Sequence, residues 1–139
     1  MSEPELTRPS DAELAILQVL WERGPCTVRE VFERIGRARG TGYTTMLKLM
    51  QIMAAKGMVG RDELQRSHVY HARLERTVTQ RRLITDLLDR VFRGSGRDLV
   101  MQALAARPAS PEEIAEIRSL LDQLEEEGKD DEPAAGDMA

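Results

Sequence analysis

Apolar residues fall along the chain in blocks of different period, and each block predicts an element. Leu14, Ile16, Leu17, Leu20 and Trp21 recur at helical spacing, which lines one face of a helix. Ser10 and Glu13 stand ahead of them as a capping box, and Gly24-Pro25 stops the run. A first helix of about a dozen residues is expected there. Thr27 and Glu30 repeat the capping signature before Val28, Val31, Phe32 and Ile35, with Gly36 expected to end a second, short helix. An Arg- and Gly-rich loop, Arg37 to Gly42, then leads to a third helix from Tyr43 to Lys56. Its Met46, Leu49, Met50 and Met53 share a face, and Gly57 fits the position just past its end. The period then changes. Met58 to Leu64 and His68 to Leu74 read as two short strands around a tip near Gln65-Arg66-Ser67. Three helices followed by a hairpin is the order of a winged helix-turn-helix.

Beyond Glu75 the helical period returns. Leu83, Ile84, Leu87, Leu88, Val91 and Phe92 form a broad stripe that ends at Gly94-Ser95-Gly96. Leu99, Val100, Ala103 and Leu104 predict a shorter helix before Pro108. Ser110, Pro111 and Glu113 then supply an N-cap, a first-turn proline and a capping-box glutamate. Ile114, Ile117, Leu121 and Leu124 follow at spacings of 3, 4 and 3, a heptad-like seam. The expected fold is mainly α with a small β-hairpin: a winged helix over 8–74, a helical dimerisation domain over 75–127, and a disordered acidic tail over 128–139. So short a helical segment rarely buries enough apolar surface alone, which makes self-association the simplest partner. The side chains expected at that interface are Leu83, Leu87, Leu88, Val91, Leu99, Ile114, Ile117, Leu121 and Leu124. Folding of these helices back onto the amino-terminal domain is the alternative.

Composition narrows the class. Of 139 residues, 41% are apolar, 32% charged and only 4% aromatic, which suits a globular core of Leu, Ile, Val, Met and Ala. Uncharged runs such as Gly40 to Leu47 fall far below the roughly 18 apolar residues that span a bilayer. The opening Met-Ser-Glu-Pro-Glu lacks the pattern of a signal peptide, so a cytoplasmic protein without membrane insertion is expected. A lone Cys26 excludes disulfide scaffolds and thiolate metal sites.

The net charge of −4 hides a segregation. Residues 1–22 carry net −4, residues 23–97 net +9 and residues 98–139 net −9. From Arg34 to Arg61 there are six cations and no carboxylate, the mark of a surface that meets a polyanion. The third helix would then enter the major groove with its amino-terminal half. Its period turns Tyr43, Thr44, Leu47, Lys48 and Gln51 away from the methionine face. Thr and Leu can touch a thymine methyl, Lys can donate to guanine, and Gln can pair with adenine. Tyr43 suits a phosphate, as do Arg37 and Arg39 in the turn and Arg61 and Arg66 on the wing.

These residues resemble a known family. Ser10-Asp11-Ala12-Glu13, Leu17 to Trp21, Thr27-Val28-Arg29-Glu30-Val31, Gly42-Tyr43-Thr44-Thr45, Lys56-Gly57-Met58-Val59 and the wing's Arg66-Ser67-His68-Val69-Tyr70 are similar to the penicillinase-repressor family of BlaI/MecI-type winged-helix regulators. The resemblance is close over about residues 8–73 and architectural from 75 to 127. It implies a transcriptional repressor that binds a double-stranded operator with inverted repeats as a homodimer. In antibiotic-responsive members, a membrane sensor protease system triggers cleavage in the dimerisation region. By position that site is near Met101, Gln102 and Ala103, although the family's Asn-Phe-like pair is absent here. Lys48 and Ile52 stand where many relatives carry Thr and Arg, so the operator sequence does not transfer.

No constellation for an enzyme is present, and neither a cofactor nor a metal site is expected. His68 and His71, three apart on a strand, would face opposite sides. Ser95 is too isolated for a nucleophile, and Cys26 reads as structural. Two other readings stay open: a winged-helix regulator relieved by a small ligand held between methionine walls (Met46, Met50, Met53, Met58), and a winged helix that contacts only proteins.

Overall fold

The computed structural model describes residues 8–64 and 66–131. The expectations for Met1 to Glu5, for Gln65 at the wing tip and for residues 132–139 of the tail lie outside them. The chain divides into two compact units, one ending at Arg90 and the other beginning at Val91. By its contacts, the helix after the hairpin therefore groups with the amino-terminal unit.

In that unit, helix α1 is Asp11–Arg23. Its capping box is complete: the Ser10 N–H donates to Glu13 Oε1 (2.9 Å) and the Glu13 N–H donates to Ser10 Oγ (3.2 Å). The buried face comprises Ile16, Leu17, Val19 and Leu20. Thr27 and Glu30 cap α2 in the same reciprocal way. Helix α2 starts as Val28–Val31 but does not stop at Gly36, as the sequence suggested. It widens into a π-helical turn, Phe32–Gly36, and closes as Arg37–Arg39. Gly36 is helical rather than terminal because its missing side chain makes room for a ring: a Cβ there would lie 2.4 Å from Phe32 Cδ1. The helix ends at Gly40, whose left-handed φ of 72° suits glycine. The expected loop from Arg37 is correspondingly shorter.

Helix α3, Tyr43–Lys56, occupies the expected span and ends at the left-handed Gly57. The hairpin strands are shorter than the apolar pattern suggested, β2 being Val59–Asp62 and β3 Val69–Ala72. A third strand was not foreseen. Cys26–Thr27, labelled β1, pairs antiparallel with β3, Cys26 opposite Tyr70, and gives the sheet order β1-β3-β2. Two residues carry no period, so only tertiary pairing defines that strand. Helix α4 is Arg76–Val91. The indole N–H of Trp21 donates to the Leu74 carbonyl (2.9 Å), tying α1 to the segment between β3 and α4, and Arg8 bonds Asp86 of α4.

The core is aliphatic and sulfur-rich. Met46, Met50 and Met53 of α3 and the adjoining Met58 are at most 1% exposed and join Ile16, Leu17, Leu20, Val31, Val59 and Tyr70. Full burial of each such side chain contributes about 1.5–3 kcal/mol relative to exposure. Tyr70 buries its hydroxyl without a hydrogen-bond partner of good geometry, while interacting through space with the Arg61 guanidinium. Cys26 is buried, its thiol donating to the Gly24 carbonyl, and burial, then Glu30, pushes its pKa up. A thiol held protonated in this way is inert.

A half-buried ion pair braces α1 against α3. Glu13, with its side chain 5% exposed, accepts from Lys56 Nζ at 2.9 Å while closing the Ser10 cap. Burial alone would raise the Glu13 pKa, but the Ser10 N–H and the Lys56 ammonium outweigh it and hold the carboxyl below its ordinary 4.5. A depressed folded-state pKa gives stability that is present above the unfolded value and is lost as pH falls through the folded one. The contribution of Glu13 to stability should therefore be constant from neutrality to about pH 5 and decline below it. Glu13→Ala should cost about 1–3 kcal/mol at pH 7 and shrink that acid limb. Chemical denaturation at a series of pH values measures both.

In the second unit, α5 is Gly96–Ala106, capped by Ser95 Oγ, which accepts from the Asp98 N–H (3.1 Å). Helix α6 is Pro111–Asp131, begun by the expected Ser110 and Glu113 box. It carries helical backbone through Gly128 to Asp131, where the tail was expected to have begun. No described side chain of α5 or α6 is buried.

Candidate nucleic-acid interface

With Met46, Met50 and Met53 turned inward, α3 presents Thr44, Thr45, Lys48, Gln51, Ile52 and Ala55 on its exposed side. Thr44, Lys48 and Gln51 are thus brought together as expected. Leu47, expected to point outward, is half-buried and packs against the core, so a base contact through it is confined to its rim. Thr45 was not among the expected contacts and Ile52 stood only as a departure from relatives; a spacing of seven residues along a helix puts them side by side, and Ile52 is 38% exposed. No carboxylate lies on this surface between Tyr43 and Lys56.

The acid-free cation run separates in space into two groups. Arg34 lies 3.8 Å from Glu22, Lys56 holds Glu13, and Arg61 meets Glu63 at 2.8 Å, so three of the six cations are already paired. Arg37, Arg39 and Lys48 have no carboxylate within ion-pair distance among the described residues, and neither has Arg66 on the wing. Arg61, placed on the wing for a phosphate, must exchange Glu63 to reach one.

The first residue of α3 is held by a stack that sequence reasoning did not foresee. The Tyr43 ring meets the edge of Phe32 at 5.8 Å and 83°. Arg29 of α2 lies over Tyr43, its guanidinium carbon 5.0 Å from the ring centroid, and Arg37 lies over Phe32 at 5.4 Å. The π-helical turn sets Phe32 and Arg37 into this register. In the sequence Arg29 figures only in the motif that carries the family resemblance; its distance from Tyr43 along the chain leaves no local signal.

Among the described residues no group of three His, Cys, Asp or Glu side chains is placed to hold a metal ion, and no helix is long and apolar enough to cross a membrane. The methionines offered as walls of a ligand pocket are core, closed on one another.

The apolar faces expected to meet a second copy behave differently along the chain. Leu83, Leu87 and Leu88 on α4 are half-buried, as are Leu99 and Ile117, whereas Val91 (60%), Ile114 (40%), Leu121 (54%) and Leu124 (52%) are exposed. Val78, Ile84, Val100, Leu104 and Leu120 add outward apolar area that was not assigned to an interface. Met101, Gln102 and Ala103 are exposed in the middle of α5.

Residues 9–123 match the family model described as penicillinase repressor. The chain is 32% identical over 133 residues to the transcriptional regulator BlaI of Mycobacterium tuberculosis, with 95% of both chains covered. It is 23% identical to the penicillinase repressor of Bacillus licheniformis over 82% of this chain and 89% of that one. To the methicillin resistance regulatory protein MecI of Mammaliicoccus sciuri it is 21% identical, over 82% of this chain and 93% of the other.

Proposed function

The chain belongs to the penicillinase-repressor family, a family of transcriptional repressors, and from that premise we propose that it binds operator DNA as a homodimer in the cytoplasm. The observation that carries the reading is the exposed side of α3: Thr44, Lys48 and Gln51 stand on one face without a carboxylate, on a helix fixed by three fully buried methionines. A rigid helix with donors of those types suits base edges in the major groove. Arg37, Arg39, Tyr43 and Arg66 flank it as phosphate contacts, with Arg61 joining if Glu63 releases it.

Dimerisation is supported by α5 and α6. Two helices with no buried side chain among the described residues gain little from packing on themselves in water, and a second copy supplies the missing cover. A two-fold dimer asks for an inverted repeat in the operator. The division of labour we infer is a DNA-binding part over residues 8–74 and a dimerising part over 75–127. Relief by a membrane sensor protease system would act at Met101, Gln102 and Ala103, and because these are helical α5 would have to open before a cut.

A mobility shift with DNA from beside the chain's own gene, against a scrambled duplex, tests the reading. Preference for the native duplex is expected, and equal binding to both would end it. Lys48→Ala or Gln51→Ala should then cost about 1–3 kcal/mol on the native duplex alone, whereas Arg66→Ala should weaken both alike. Titration of the two duplexes at one fixed salt concentration separates these outcomes.

A further inference from the structure

Arg29 is exposed on α2, and its guanidinium face is covered by Tyr43, the first residue of α3. With Phe32 and Arg37 it forms a series, two rings flanked by two guanidinium groups, that joins α2 to α3. A guanidinium stacked by its face keeps its N–H edge for planar bonding to an oxyanion. That edge has no carboxylate within ion-pair distance among the described residues. Its neighbour Glu30 is turned back onto the Thr27 N–H at 2.8 Å.

Arg29 and Tyr43 also line one cleft. It measures about 540 Å³ and runs between α2, the start of α3 and the wing, with Thr27, Glu33, Arg66 and His68 along its walls. Two arginines that have no ion-pair carboxylate among the described residues line it, Arg29 from the helices and Arg66 from the wing. We propose that this cleft receives one sugar-phosphate strand of the duplex, and that Arg29 is a phosphate-binding residue whose stacking on Tyr43 fixes its donor edge. The inference rests on the DNA-binding reading and adds to it a contact and a strand path. Glu33 is the carboxylate in the cleft without a hydrogen-bonded partner among the described residues, so it opposes the strand and sets its hold below the maximum.

The two residues therefore have effects of opposite sign on a mixed-sequence duplex, where no base preference enters. Arg29→Ala should weaken binding about tenfold and lower the slope of log affinity against log salt by about 1, because one phosphate neutralisation is lost. Arg29→Lys should keep that slope while losing part of the affinity, since an ammonium neither stacks nor forks. Glu33→Gln should tighten binding by about two- to fivefold through removal of one repulsion. Thermal unfolding of Arg29→Ala should stay within about 5 °C of the parent, the loss of one exposed contact between a guanidinium and a ring. An Arg29→Ala protein that keeps the parental salt slope overturns the proposal, whether or not its affinity falls, and so does a Glu33→Gln protein that binds no tighter. If the parent chain binds no duplex at all, the DNA-binding reading itself fails.

Discussion

Leu121→Glu is expected to leave a monomer whose winged unit stays folded at micromolar concentration, and to weaken binding to a two-half-site operator by about a hundredfold or more. Leu121 is 54% exposed within one chain, so a glutamate there disturbs nothing inside it. It lies in the seam of Ile114, Ile117, Leu121 and Leu124, and in a symmetric pair both copies of the change enter one apolar interface. Two carboxylates without partners in such a place cost several kcal/mol. Once the pair separates, each winged unit must find its half-site alone and loses an effective concentration in the millimolar range, which linkage of two modules turns into gains of about 10²–10⁴. Sedimentation equilibrium reads the assembly, and titration against one and two half-sites reads the coupling. Affinity for a single half-site should be unchanged. A Leu121→Glu protein that stays dimeric, or that binds the paired sites as the parent does, removes the role given to α6.

Local signals made much of the fold legible. Ser10 with Glu13, Thr27 with Glu30 and Ser110 with Glu113 each close the reciprocal cap that their spacing implies, because such caps need only residues three apart. What escaped was set by contacts between distant residues. Gly36 reads as a stop, yet Phe32 occupies the space a side chain would fill and the helix continues past it. Cys26–Thr27 becomes a strand only because Val69 and Tyr70 lie beside it. Charge shows the same limit. The run from Arg34 to Arg61 lacks acids in sequence, but Glu13, Glu22 and Glu63 lie outside it and reach back to Lys56, Arg34 and Arg61. A one-dimensional count therefore doubles the number of cations in that run left without a carboxylate partner. Arg29, excluded from the run by Glu30 and Glu33, joins the interface through a ring contributed by another helix.

Met50→Ala should remove about 2–5 kcal/mol of folding stability, a large share of the 5–15 kcal/mol that holds a domain together. Met50 is fully buried, and the wing, α1 and α2 all join its cluster through Val59, Tyr70, Leu17 and Val31. Truncation leaves a void that a small domain cannot close by shifting one element, since α1, α2, α3 and the hairpin all pack on the same centre. Met50→Leu keeps the volume and should cost less than about 1.5 kcal/mol. Denaturant unfolding of the three proteins gives these differences directly. Methionines lining a ligand pocket would behave otherwise, truncation enlarging a space that was already open while stability stayed near the parent's. The same pair separates scaffold from reading surface. At a temperature where Met50→Ala is still folded, its preference between native and scrambled duplexes should equal the parent's, because the lost side chain lies behind the helix, whereas Lys48→Ala should unfold like the parent and lose that preference. A Met50→Ala protein with parental stability would mean that α3 is held by something other than its methionine face, and the orientation of Thr44, Lys48 and Gln51 would no longer follow from the core.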